Sequence, residues 1–204
     1  MPSAPTAPTE VANLALDIIG TQIIDDVEMP GDDRIASTMN RWYSVSRRKA
    51  LEGFPWNFAS TRATITLVDP APAFGYVDQY QLPNDFVSLN FIADETLPLD
   101  QYYFTIEGDK LLIDNGGDES LQIGYVKDTD DVAKYPATFI MYLAHVLASN
   151  TVFILTKNQT VANAVRALEK TARLEAQAVN GKNNPPRAFR ESAMLRARRR
   201  YTSG

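Results

Sequence analysis

Hydrophobic positions recur at helical spacing near the beginning of the chain. Residues 9–20 predict a short helix with Thr9 as its N-cap and Gly20 as its stop. An aspartate at residues 32–33 can cap a longer helix that runs to about Leu51 and is ended by the Gly-Phe-Pro of residues 53–55. Its predicted apolar stripe has five members: Ile35, Met39, Trp42, Ser46 and Ala50.

Two further helices are predicted towards the other end of the chain. Pro136 suits the first turn of a long apolar helix that continues to about Thr156. Thr160 can cap the last predicted helix, which ends near Val179. The apolar stripe of that helix is formed by Val161, Val165, Leu168, Ala172 and Ala176.

Between these helical regions the hydrophobic period changes to two. Residues 61–68, 86–92 and 121–127 read as strands, and residues 102–107 and 110–114 flank a Gly-Asp pair that predicts a hairpin with a type II′ turn. We therefore predict an α+β fold, a helical bundle of about four helices with an inserted antiparallel β-meander and a C-terminal extension.

Composition divides the chain into three parts. Residues 1–8, rich in proline and alanine, predict a flexible N-terminal arm. Residues 9–179 predict one domain, with helices within 9–54 and 132–179 and the β-rich insertion at 61–128. Residues 180–204 predict a linker followed by a basic C-terminal arm.

Charge is distributed unevenly along the chain. The net charge of the chain is −5. The segment from Lys182 onwards contains seven basic residues and one acid, a net charge of +6, so residues 1–181 carry −11. The basic arm could grip nucleic acid, dock onto an acidic protein partner, or merely keep the terminus soluble. Since the acidic body would repel a duplex, we favour protein docking, through Arg187, Phe189, Arg190, Arg196, Arg198, Arg199 and Arg200.

The residues that usually carry chemistry are sparse. Cysteine is absent, and the single histidine, His145, has Met141 and Ser149 at the helical positions where metal-ligand partners would stand, so we interpret it as a core residue. The paired aspartates at 25–26, 32–33 and 130–131 precede predicted helices, where caps are expected. No phosphate-binding glycine loop is found. We therefore expect no enzymatic activity, no cofactor and no metal.

Neither a secretory signal nor a membrane span is predicted. The first ten residues lack the basic and apolar regions of a signal peptide. The most apolar run, residues 139–155, is shorter than the roughly 20 residues that a span requires and contains polar residues. A buried helix is the better interpretation.

A dense aromatic stretch follows the second predicted helix. Phe54, Trp56 and Phe58 surround Pro55, and this stretch could be a ligand platform, a stacking surface for nucleic acid, or part of the core. The nearby basic residues precede the aromatics on a helix instead of interleaving with them. We predict that the three rings fill the seam between the helices and the sheet.

Several segments, taken in order, resemble a known family. They are Ala-Leu-x-x-Ile-Gly at residues 15–20, Pro-Trp-x-Phe-Ala at residues 55–59, and Pro-x-x-Gly-Tyr-x-x-x-Tyr-x-Leu-Pro-x-Asp at residues 72–85, which includes Tyr80 and Pro83. Two late helices open near Tyr135-Pro136. In this order the chain resembles the head-to-tail adaptor proteins of short-tailed phages, the tail tubular protein A or packaged-DNA-stabilising type.

The resemblance implies a structural virion protein at the head–tail junction, assembled in the host cytoplasm. Such adaptors form a ring, typically of about twelve copies, by a heterologous contact that closes on rotation. The ring lies beneath the portal protein, extends the channel through which genomic DNA passes without specific binding, and offers a platform to the tail nozzle or tube. Two alternatives stay open: a virion-associated hydrolase, and a DNA-binding protein that acts through the arginine-rich arm.

Overall fold

The computed structural model describes residues 5–93, 103–114 and 116–183 and confirms the α+β class. Helices α1 and α2 come first, six strands follow, and helices α3 and α4 complete the described chain. The helices are α1 (Pro8–Ile19), α2 (Arg34–Glu52), α3 (Ala137–Thr156) and α4 (Gln159–Lys182). The strands are β1 (Ser60–Thr66), β2 (Asp78–Gln81), β3 (Phe86–Ile92), β4 (Phe104–Glu107), β5 (Lys110–Ile113) and β6 (Ser120–Lys127).

The N-terminal cap of α1 differs from the prediction. Its N-cap is Ala7, and the Glu10 carboxylate accepts the backbone N–H groups of Thr6 and Ala7, at 2.5 and 3.0 Å. Thr9 lies inside the helix, where its Oγ1 accepts the backbone N–H of Val27 at 3.1 Å. The predicted stop is confirmed, because Gly20 adopts a left-handed conformation with φ of 76°.

Helices α2 and α4 are each capped by the side chain of their N-cap residue. Asp33 caps α2 as predicted, accepting the backbone N–H groups of two residues in the first turn. Helix α4 is capped by Asn158, not by Thr160. Because α4 continues to Lys182, the linker predicted from Asn180 is wrong for its first three residues.

Helix α3 lies at the centre of the helical part. It packs against α1, α2 and α4, and its buried residues include Phe139, Leu143 and Leu147. By length and composition α3 is also the one helix of the described residues that could cross a membrane, a criterion that buried core helices meet as well. Its surroundings agree with the buried helix that the sequence predicts.

The strands form two small antiparallel sheets, in the orders β1-β6-β3 and β2-β5-β4. The single meander expected from the sequence is therefore divided, since the last strand, β6, returns between β1 and β3. An isolated bridge between Leu67 and Tyr80 links the two sheets, which share a second hydrophobic core. The predicted hairpin joins β4 and β5, with Gly108 at a φ of 62°.

A glycine at the centre of the first sheet accommodates an aromatic ring. Gly124 of β6 lies between its cross-strand partners Arg62 and Phe91. A Cβ added at Gly124 would come within 2.2 Å of the Phe91 ring, and the Arg62 guanidinium carbon lies 5.6 Å from the centre of that ring. The glycine thus lets Phe91 cover the strand and stack against Arg62.

Gly124→Ala is expected to destabilise the fold by about 1–3 kcal/mol, because the new methyl group displaces the Phe91 ring. Chemical denaturation measures the effect. The control is the same substitution in a Phe91→Ala background, where the clash is gone and alanine should cost little. An equal loss of stability in both backgrounds would show that the ring is not the cause.

Candidate functional site

The aromatic stretch forms the joint between the helical core and the first sheet. Trp56 is 1% exposed, and its indole N–H donates to the backbone oxygen of Ala50 at 2.8 Å. Its ring centre lies 5.0 Å from that of Phe139 and 5.9 Å from that of Tyr142, both on α3. The half-buried rings of Phe54 and Phe58 flank it, at 5.2 and 6.4 Å. The three rings therefore belong to the core, and Pro55 is exposed at the turn between them.

The end of α4 closes over this joint. Asn57 donates its backbone N–H to the Asn180 side-chain oxygen, and its own side-chain amide donates to the Asn180 backbone oxygen, both at 3.0 Å. The Asn180 amide also donates to the backbone oxygen of Pro55 at 3.4 Å. Sequence reasoning missed this clamp, because the Asn180-Gly181 pair reads as a linker.

The other residues that we singled out as structural differ in burial. Tyr80 is fully buried in the second core, and its hydroxyl donates to the backbone oxygen of Asp118 at 2.8 Å. Pro83 is half-buried, and its carbonyl accepts the backbone N–H of Phe86 at 3.0 Å. Trp42 lies at the edge of the helical core, also half-buried.

The aspartate that ends the Tyr-x-Leu-Pro-x-Asp segment fixes this segment to the first sheet. The Tyr125 hydroxyl of β6 donates to a carboxylate oxygen of Asp85 at 2.8 Å. Burial, together with this hydrogen bond and the charge of Asp85, raises the pKa of Tyr125 to about 12. The segment that carries the family resemblance therefore connects the two sheets.

The residues considered for chemistry serve local structure. We predicted that His145 is a core residue, and this prediction is wrong because the side chain is only half-buried. Its Nδ1 lies 2.8 Å from the backbone oxygen of Met141. Asp26 and Asp33 accept backbone N–H groups, and Asp131 pairs with Lys134 at 2.8 Å. Among the described residues, no group of three or more metal-ligating side chains lies together.

The basic residues predicted to dock a partner lie outside the described residues. They are Arg187, Phe189, Arg190, Arg196, Arg198, Arg199 and Arg200, all beyond Asn183.

Positive charge collects on one flank of α2. A cavity of about 480 Å³ is lined by Lys49 of α2, by Ser149 and Asn150 of α3, and by four residues of α4. Lys49 pairs with Glu169 at 3.5 Å. Three further cations of α4 line the cavity and form no ion pair with the described residues; this cationic stripe consists of Arg166, Lys170 and Arg173.

Negative charge collects on the opposite flank of α2. A cavity of about 330 Å³, the acidic pocket, is lined by Glu28, Asp130, Arg47 and Tyr43 among others. The Arg47 guanidinium forms an ion pair with Asp128, with an Nη2–Oδ1 distance of 3.0 Å. Glu28 and Asp130 are exposed and form no ion pair with any described residue. The charge that remains in the pocket is therefore negative.

An unpartnered hydroxyl lies in the wall of the acidic pocket. Tyr43 is 8% exposed, and its hydroxyl has no hydrogen-bond partner among the described residues. Burial raises the pKa of Tyr43 to about 12, with Arg47 lowering it and Glu28 and Asp130 raising it further. Buried hydroxyls are nearly always hydrogen-bonded, so this one calls for an explanation.

Apolar side chains are exposed at one end of the second sheet. Phe74, Val77 and Tyr103, which we call the apolar tip, are 88%, 62% and 85% exposed. Val77 and Tyr103 precede the two strands that pair with Ile113 from either side. In sequence, the β-rich segment 61–128 contains twelve acids and three bases, a net charge of −9.

No protein-family model matches the chain. A search of the curated proteins also returns no match.

Proposed function

We propose that this protein is a non-enzymatic connector that forms a ring between the portal protein and the tail of a short-tailed phage. In that ring the chain extends the channel for DNA, and each copy contributes a surface on which the tail assembles. The resemblance at residues 15–20, 55–59 and 72–85 motivates the proposal. The separation of charge within the chain is the observation that carries it.

The β-rich segment and the C-terminal arm carry opposite charges. Segment 61–128 has a net charge of −9, whereas the chain from Lys182 onwards has +6. A wall of negative charge lets DNA slide through a channel, because like charges prevent phosphate groups from binding. The basic C-terminal arm supplies guanidinium groups that can pair with the carboxylates of a protein partner.

Other contacts of the described residues suit a scaffold. The aromatic joint and the Asn57–Asn180 clamp fix the β-rich part onto the helical part. The apolar tip leaves three large side chains in solvent, and grouped exposure of this kind is typical of surfaces that bind a partner. A rigid body with separate docking surfaces is what a connector requires.

Electron microscopy of the purified protein mixed with the portal protein of the same virus tests the proposal. We expect class averages with an added ring coaxial with the portal. We also expect weak binding of duplex DNA to the ring, with little dependence on salt. Portal particles without added density contradict the connector role. A duplex affinity that falls steeply with salt would instead favour a DNA-binding protein.

A further inference from the structure

The two flanks of α2 carry complementary charge. Each residue of an α-helix turns by about 100°, so Lys49, beside the cationic stripe, and Arg47, in the acidic pocket, project about 160° apart. Lys49 and Arg47 line separate cavities accordingly. One copy of the chain therefore presents a positive and a negative surface in nearly opposite directions.

Opposed surfaces of this kind suit a heterologous contact. When one side of a protomer binds the other side of the next, the contact repeats and closes into a ring if the rotation allows. Surfaces on one side only would instead give a twofold dimer. The position of the two cavities on either side of α2 thus favours head-to-tail association.

The chemistry of the acidic pocket matches a cationic side chain. Glu28 and Asp130 supply two carboxylates without ion pairs among the described residues, and the buried Tyr43 hydroxyl in the wall of the same cavity is an unused acceptor. A guanidinium or ammonium group has donors but no acceptor, so it can bind both kinds of oxygen. Arg166, Lys170 and Arg173 are exposed, carry long side chains and form no ion pair within the described chain.

We propose that the cationic stripe of one copy docks into the acidic pocket of a second copy of this chain. The inference rests on the proposed function, since it names the contact by which the ring would form. The three residues of the stripe extend over about two helical turns, so the stripe spans about 10 Å. A nucleic acid could bind the stripe but would be repelled by the pocket, whereas a second copy satisfies both surfaces.

Charge reversal tests the contact. The stripe variant carries Lys170→Glu and Arg173→Glu, and the pocket variant carries Glu28→Lys and Asp130→Lys. We expect each variant alone to self-associate at least about tenfold more weakly than the wild type, as like charges then oppose. Sedimentation velocity over a concentration series at low salt, with the protein free and with portal present, measures the association.

Mixing the two variants gives the decisive result. In an alternating ring the reversed stripe meets the reversed pocket, and the unchanged stripe meets the unchanged pocket. Association in the mixture, and in a chain that carries all four substitutions, should therefore return to near the wild-type level. The control variant carries Glu107→Lys and Glu119→Lys, which reverse two exposed acids of the β-rich segment and should leave association unchanged.

The remaining outcomes separate the inference from the proposed function. If the charge-reversal variants associate as strongly as the wild type, the proposed contact is overturned and the connector proposal is unaffected. Association that follows the reversals in a protein that ignores the portal supports the contact and contradicts the connector role. A chain that stays monomeric both free and with portal overturns both. Loss of DNA binding in the stripe variant, with association unchanged, assigns the stripe to nucleic acid and overturns the contact.

Tyr43→Phe gives a second, independent measurement. Removing a buried hydroxyl that has no partner should leave the stability of the isolated chain unchanged or slightly higher. If a neighbouring copy uses that hydroxyl, association should weaken by about threefold to tenfold. A variant with unchanged association would show that the hydroxyl takes no part in the contact.

Discussion

Trp56→Ala is expected to lower the free energy of unfolding by about 3–5 kcal/mol, as the loss of a large buried aromatic ring does. The indole is 1% exposed and contacts the rings of Phe54, Phe58, Phe139 and Tyr142. Alanine would leave a cavity where the turn after α2 packs against α3. It would also leave the Ala50 carbonyl without its 2.8 Å donor.

Urea denaturation followed by circular dichroism measures this loss, and Trp42→Ala is the matched control. Trp42 is the other tryptophan of the chain and is half-buried, so its removal should cost clearly less. Trp56→Phe separates ring packing from the hydrogen bond and should fall between the wild type and Trp56→Ala. A Trp56→Ala loss no larger than that of Trp42→Ala, accompanied by failure to bind a partner, would support the ligand-platform interpretation.

The helices could be predicted from the sequence because their signals are local. Caps and stops such as Asp33, Gly20 and Pro136 act within one turn, and each stands at or beside the end of a helix in the structure. The exact face of α2 could not be predicted. Of the predicted stripe, Met39, Ser46 and Ala50 are buried as expected, whereas Ile35 and Trp42 are only half-buried. Ala36 and Tyr43 are buried in their place. Because both sets fit helical spacing, only the position of α3 decides between them.

Strand β2 could not be predicted because its residues look polar. Asp78 and Gln79 are buried, and each has a backbone partner: Asp78 accepts the N–H of Gly117 at 3.0 Å, and the Gln79 side chain donates to the Pro70 carbonyl. The order of the strands depends on contacts between distant residues, as does the Asn57–Asn180 clamp. The acidic pocket was missed for the same reason, since it combines residues of α2 with the loops at Glu28 and Asp130.

Deleting residues 187–204 is expected to abolish ring assembly on the portal while leaving the folded body intact. The deletion removes Arg187, Phe189, Arg190, Arg196, Arg198, Arg199 and Arg200 and begins beyond Lys182, the last residue of α4. The free energy of unfolding should therefore change by no more than about 0.5 kcal/mol, as for changes away from the core. Portal binding should fall by at least about a hundredfold, because several charge-assisted hydrogen bonds are lost together.

Variants that keep the length of the arm decide which of its properties matters. Changing its six arginines to lysine preserves the charge but not the forked guanidinium, whereas changing them to glutamine removes both. If the arm docks onto carboxylates of the portal, glutamine should abolish binding and lysine should weaken it. Phe189→Ala, with all arginines kept, reports the apolar share of the contact. Assembly by the deletion variant at the wild-type level would exclude docking through the arm. The partner would then have to bind residues 1–186, which carry a net charge of −10.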